Sequence, residues 1–188
     1  NEYALISNKK DDCFYASLIN LLNLKEIFKS ECLPVDESNF PDFNGIGGAV
    51  MLFNENIYLT IGAPESGSQN IRELAQSDVS IFGKILKISK KNLLKSDQEN
   101  LEYSIYSIGH RNPQGIVEIN NKIFSIEHGP QGGDELNLIV EGGNYGWPLK
   151  SYGTRYMDGK PFKHSDKIDN YQEPIYSFLP AIAPSSLS

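Results

Sequence analysis

Gly48-Ala49-Val50-Met51-Leu52, then Asn54-Glu55-Asn56, then Ile57-Tyr58-Leu59-Thr60-Ile61 is the stretch that decides the fold. Its two arms are rich in β-branched and aromatic residues, and the segment between them is made of turn formers. That pattern predicts a β-hairpin. The same order returns 67 residues further on, where Gly115-Ile116-Val117-Glu118-Ile119 leads through Asn120-Asn121-Lys122 into Ile123-Phe124-Ser125-Ile126. Each copy is followed by a loop that carries a proline, Pro64 or Pro130.

A repeat of hairpins predicts an all-β chain built from radial sheets. The spacing exceeds the roughly 40 to 50 residues of a bare propeller blade, so each unit must carry long loops. A third copy begins at Pro184-Ser185-Ser186-Leu187, which stands where Pro113-Gln114-Gly115-Ile116 stands in the unit before. Propellers protect their strand edges with four or more blades. Two or three blades cannot close a ring, so residues 1–188 read as one partial β-propeller domain of about three blades. Such a chain belongs to a larger propeller or closes by association.

Between the hairpins, Ile81 to Ile88 and Tyr103 to Ile108 alternate as strands do, and Lys90 to Lys95 reads as a solvated excursion. The Leu and Ile spacing of Leu18 to Lys29 fits a short helix, but the repeat context favours two strands around Asn23.

A length of 188 residues suffices for one domain with its own core. The net charge of -7 and the lack of a basic stripe argue against a nucleic-acid partner. No apolar run approaches the roughly 20 residues that span a bilayer. Asn1 is not an initiator Met and no signal peptide is visible, which reads as a chain processed, trimmed or cut from something longer. Cys13 and Cys32 pair if the protein is exported, or remain two buried thiols. The sequence leaves both open.

The chemistry concentrates in three loops. Gly109-His110-Arg111-Asn112-Pro113-Gln114-Gly115 projects an Arg and an Asn beyond a strand end. A guanidinium offers a planar fork of donors suited to a carboxylate or an oxyanion; the same residues also suit a plain turn with Arg111 in a surface ion pair. In Glu127-His128-Gly129-Pro130 the Gly-Pro pair exposes main-chain carbonyls, hard ligands that suit Ca²⁺. Asp134 and Glu135 follow closely, as metal ligands, as loop braces or as a solvated acidic turn. His128 reads either as a structural or as a functional histidine. Gly142-Gly143-Asn144-Tyr145-Gly146-Trp147-Pro148 permits close backbone approach, and Trp147 is expected to pack beneath it. His164 receives no role.

Taken together, these loops resemble the soluble quinoprotein glucose dehydrogenase family, above all its aldose sugar dehydrogenase branch. The likeness runs from Gly47 to Ser186, through Ser80 to Leu86, the Gly109 to Gly115 run, Glu127 to Leu138 and Gly142 to Pro148. Glu173-Pro174-Ile175-Tyr176 and Ile182-Ala183-Pro184-Ser185 extend it. The resemblance implies a six-bladed β-propeller that binds pyrroloquinoline quinone (PQQ) and calcium and oxidises the C1 hydroxyl of aldose sugars. Arg111 would face the quinone oxygens as the catalytic cation, and Asn112 would hydrogen-bond the cofactor. His128 and Asp134 would lie against it, and Gly129 and Pro130 would give the metal their carbonyl oxygens. Partners would be a small-molecule sugar and an electron acceptor, with the rest of the propeller supplied by another segment. The place of action would be periplasmic or secreted.

The sequence departs from that pattern at the base. Gly45 falls where the family's proton-abstracting histidine would stand, and Ala49 falls where an arginine is usual. Gly62-Ala63-Pro64-Glu65 lacks the acidic residue expected after the glycine, and no histidine precedes His110. Weakened activity follows, or a non-catalytic propeller that binds carbohydrate or protein, as the related hedgehog-interacting proteins do.

Overall fold

The computed structural model describes residues 2–11, 13–34, 45, 46, 48–63, 69–95, 101–156, 158–162, 164, 165 and 168–188. Expectations placed on Phe43, Asn44, Gly47, Pro64 and Glu65 fall outside these residues.

The strands form three sheets, antiparallel throughout except where the short β12 joins β8 in parallel. The first holds β1 (Tyr3–Lys10), β2 (Cys13–Asn20), β3 (Lys25–Lys29) and β4 (Leu33–Pro34). The Leu18 to Lys29 stretch is thus two strands joined by a turn, as the repeat context indicated. The second sheet holds β5 (Val50–Phe53), β6 (Asn56–Ile61), β7 (Lys84–Ser89), β8 (Ser104–Ile108) and the short β12 (Gly143–Asn144). The third holds β9 (Pro113–Ile119), β10 (Lys122–Glu127), β11 (Asp134–Ile139) and β13 (Tyr176–Phe178). Both predicted hairpins are present, and their Asn-rich turns put Asn54, Glu55, Asn120 and Asn121 at positive φ. That is the chemistry of the two-residue hairpin turn.

The middle sheet is covered on both faces, which is why β6 reads as a continuous buried run rather than an alternation. Ile57, Leu59, Ile61, Leu86 and Ile88 join Leu18, Phe28 and Leu33 in the core shared with the first sheet. Tyr58 and Ile85 point the other way and meet Ile116, Ile123 and Ile139 of the third. Sheets stacked face to face around an axis are the packing of propeller blades. The leading strands of successive sheets lie together, β1 against β5 and β5 against β9. The C-terminal tail continues that series, since the backbone nitrogen of Leu187 stands against Gly115.

Two details differ from expectation. Lys90 to Lys95 forms a short helix, α2, rather than a solvated excursion. Leu93 within it packs against the core, and apolar contact offsets the cost of ordering so short a helix. After α1 (Gln69–Glu73) and a 3-10 turn (Leu74–Gln76), the strand expected from Ile81 begins only at Lys84, because Phe82 and Gly83 form a turn with Gly83 at φ 73°. Lys84 has no exposed surface, and its ammonium donates to the carbonyls of Leu74, Ala75 and Phe82 at 2.7, 2.9 and 2.9 Å. One buried cation therefore staples this loop onto the head of β7.

Cys13 and Cys32 form a disulfide, with Cα atoms 5.2 Å apart. It ties β2 to the segment that leads into β4, and the alternative of two buried thiols is set aside.

Candidate functional site

Strand direction places the long connections at one end of the sheets. The β6–β7, β8–β9 and β10–β11 links and the segment after β12 all emerge there, whereas the tight Asn-rich turns lie at the other end. Every candidate loop therefore converges on one face.

Gly109 ends β8 with φ 79°, and a Cβ there would strike Asn144 and the backbone of Gly146. Only glycine fits, so the Gly142 to Pro148 loop nestles under the Arg111 loop. Two main-chain bonds fix the pairing: Tyr145 N–H to the Ile108 carbonyl at 2.9 Å and Trp147 N–H to that of Gly109 at 2.9 Å. Gln76 locks the assembly from the side by exchanging amide bonds with Asn144 at 2.7 and 3.0 Å and donating to the Trp147 carbonyl at 2.7 Å. Trp147 is buried, and its indole N–H reaches the Ala63 carbonyl at 2.9 Å. It packs beneath the loop as expected.

Arg111 is 6 % exposed. Its Nη1 donates to the carbonyls of Gly129 at 2.7 Å and His128 at 3.2 Å. The guanidinium also lies over two rings, 5.4 Å from the centroid of Trp147 and 5.9 Å from that of Tyr156. Aromatic faces hold a cation's plane without consuming its in-plane donors. Arg111 is buried rather than exposed at the surface.

Behind Arg111 stands a buried polar network. Glu127 accepts the Arg111 backbone N–H at 2.8 Å, His110 Nδ1–H at 3.1 Å and Asn137 Nδ2–H at 3.0 Å. His110 is unexposed; its Nε2 accepts from the Ser107 hydroxyl at 2.9 Å, and its ring stacks on Tyr145. Facing Glu127 across the strands, Glu135 has its carboxyl pushed well above the ordinary range, first by burial and then by the Glu127 charge. The sequence reading singled out no role for Glu127. A register shift between Ile126 and Glu127 turns this side chain toward the loop, and bulges re-aim side chains in this way. A carboxylate closing an apolar strand was the only signal available.

His128 and Asp134 are held as firmly. The Pro184 carbonyl, which can only accept, takes the Nε2 proton of His128 at 2.7 Å. Nδ1 is thereby the acceptor that faces the Asn112 amide at 3.4 Å. The Asp134 carboxylate accepts three main-chain N–H groups, from Gly129 at 3.0 Å, Ile182 at 2.8 Å and Ala183 at 2.7 Å. Asp134 thus braces the loop. A Cβ on Gly129 would collide with the carbonyls of Gly132 and Gly133, so this turn also requires glycine.

A cleft of about 510 Å³ joins Arg111, Asn112, His128, Gly129, Pro130 and Asp134, with Tyr156 on its rim. The proposed guanidinium and carbonyls therefore do share one pocket. Glu135 lies outside this cleft and lines a small neighbouring cavity with Glu127, Tyr145 and Trp147. Gly45, by contrast, brings no side chain: its carbonyl and that of Arg111 fill the space where Gly62 would carry a Cβ. The third histidine, His164, donates its Nε2 proton to the Ser151 carbonyl, 2.7 Å away.

The motifs on these loops match a known family model, described as glucose/sorbosone dehydrogenase, over residues 19–188. The chain belongs to this family. It is 31% identical to the aldose sugar dehydrogenase YliI of Escherichia coli K12 over 153 residues, 77% of this chain and 40% of that protein. It is 37% identical to quinoprotein glucose dehydrogenase B of Acinetobacter calcoaceticus over 100 residues, 50% of this chain and 21% of that one. The chain thus spans less than half the length of these curated relatives. The apo-form crystal structure of the soluble aldose sugar dehydrogenase from Escherichia coli superposes over 98% of this chain and 55% of that one. The TM-score is 0.72 at 24% identity, and the likeness places this family member among the propellers. Among the described residues, no helix is long and apolar enough to cross a membrane.

Proposed function

We propose that the complete protein oxidises the C1 hydroxyl of aldose sugars, with PQQ and Ca²⁺ held in the cleft of Arg111. The observation that carries this reading is the 2.7 Å contact between Arg111 Nη1 and the Gly129 carbonyl inside one cleft. It sets a donor for an anionic cofactor beside a hard oxygen for a cation.

The donor set fits these groups. Arg111 presents a fork lying over the Trp147 and Tyr156 rings, which suits a quinone oxygen or a carboxylate. Asn112 lies beside it with an amide able to donate. Gly129 and Pro130 supply two carbonyls, the hard ligands Ca²⁺ prefers, and the cation would draw its remaining oxygens from the cofactor and water. Among the described residues no cluster of three acidic, His or Cys side chains competes for it. When bound, the quinone supplies hydride acceptance and Ca²⁺ a Lewis acid.

The chain's own residues then do three things. Arg111 stabilises negative charge that develops at the oxygen it clamps, an effect of preorganised donors. Glu127 fixes the backbone from which Arg111 projects, and Asp134 fixes the turn that aims the Gly129 carbonyl. His128 keeps its Nε2 proton on Pro184 and its Nδ1 toward Asn112, which orients the amide rather than removing a substrate proton.

Gly45 leaves the position of the family's base empty of imidazole. General-base help is worth roughly 10² to 10⁴ in rate, so weakened turnover is the expected outcome. The second reading, a non-catalytic propeller that binds carbohydrate or protein, is favoured by this one observation. Calorimetric titration of the complete protein with PQQ plus Ca²⁺ separates the two. Saturable uptake followed by dye-linked aldose oxidation supports the enzyme, and no uptake at millimolar calcium removes it. A periplasmic or secreted location belongs to the same reading, and the Cys13–Cys32 disulfide supports it, since such bonds persist in oxidising compartments.

A further inference from the structure

A second cleft, of about 470 Å³, opens on the same face and takes no part in the function proposed above. Its described lining combines cations and apolar surface: Arg72 at the end of α1, Arg155 and Lys160 on a turn, and Leu149 and Phe162 as a floor. Glu73 is the one carboxylate among its described lining residues.

The turn that carries Arg155 and Lys160 is built rather than loose. Arg155 N–H donates to the Lys160 carbonyl at 2.9 Å, and Gly159 N–H donates to that of Arg155 at 2.9 Å. Isolated bridges join Thr154 to Pro161 and to Gln131. Asp158 sits at the centre of the turn, 2.7 Å from Arg155 Nη2 and 3.7 Å from Lys160 Nζ. That carboxylate neutralises part of the charge and fixes the direction of both cations. Arg155 nevertheless keeps a buried Nε–H that meets no acceptor among the described residues. The floor is rigid as well: Phe162 is 8 % exposed and packs edge-on against Trp147 at 5.1 Å between centroids.

We propose that this cleft binds a small organic anion, a sulfonate, carboxylate or phosphate attached to an apolar ring or short chain. The anionic end is taken by the cations of Arg72, Arg155 and Lys160, and the apolar body lies on Leu149 and Phe162. Ligand sites of comparable volume bury most of a ligand of this size against apolar walls with a few fixed polar groups. The inference stands apart from the sugar-oxidation reading, because no residue of the Arg111 cleft contributes to it.

The test is calorimetric titration of the complete protein with naphthalene-1-sulfonate, beside inorganic sulfate and the uncharged 1-naphthalenemethanol. The expected result is saturable one-site binding of the sulfonate, with each of the other two binding about tenfold more weakly or worse. The Arg72→Ala/Lys160→Ala double variant, checked for an unchanged thermal midpoint, is expected to lose at least tenfold in affinity. Arg111→Ala is expected to bind the sulfonate as the parent does. Equal affinity for the neutral alcohol, unchanged affinity in the double variant, or loss in Arg111→Ala would each overturn the proposal. So would the absence of saturable uptake at millimolar sulfonate.

Discussion

The guanidinium of Arg111 and the carbonyl of Gly129 meet at 2.7 Å, although they belong to different blade connections, 18 residues apart. Replacing Arg111 by Ala removes the guanidinium that spans the two loops there with a charge-assisted bond. Turnover of the PQQ-loaded protein is expected to fall by roughly 10² to 10³, as for other preorganised oxyanion donors. Arg111→Lys should rescue little, because a point ammonium lacks the planar fork held by Trp147 and Tyr156. Steady-state kinetics checks both, and turnover unchanged in Arg111→Ala would reject the role.

Glu127→Gln tests the brace behind that contact. The wild-type carboxylate only accepts, and it receives N–H groups from Arg111, His110 and Asn137. A Gln amide must point two donors at that same set, leaving a buried donor unmade at about 1–3 kcal/mol. Urea unfolding of the complete protein should show that loss, while Glu55→Gln on the exposed β5–β6 turn should show almost none.

Lys84 links stability to pH. Burial pushes its ammonium down to about 7, against the pull of Glu31 and Asp78. In the unfolded chain it stays protonated to its ordinary value near 10.5. Between those limits the unfolded state holds more protons, so stability rises with pH through the window, and below about 7 the slope vanishes. The full slope is about 1.4 kcal/mol per pH unit for one proton. Lys84→Met should flatten it while leaving three carbonyls without their donor. An identical pH profile of urea midpoints in parent and variant would refute the linkage.

Reduction of Cys13–Cys32 should lower stability by about 3 kcal/mol, the entropy expected for a closed loop of this length. The sequence separation is 19. Thermal melts with and without reductant give the comparison, and Cys13→Ser/Cys32→Ser should behave as the reduced protein.

Hairpins 48–61 and 115–126 were legible because Asn-rich turns and β-branched arms are local chemistry. Arg111, Asn112, Gly129 and Pro130 were legible through motif resemblance, and the structure brings them to one cleft. Helix α2 was not legible, since its six residues are ordered by Leu93 against a distant core rather than by their own propensity. Glu127 escaped notice because a one-residue shift in strand register decides which way it faces. Tyr156 and Gln76 act across 45 and 68 residues of sequence, and no local pattern announces such partners.

The Asp134 carboxylate grips Gly129 on one side and Ile182 and Ala183 on the other. A single side chain therefore yokes the turn that carries the Gly129 carbonyl, an oxygen beside the cleft, to the C-terminal segment. Any ligand that tightens that oxygen will also stiffen the seam between blades, so occupancy should be felt as resistance to prising the wheel apart.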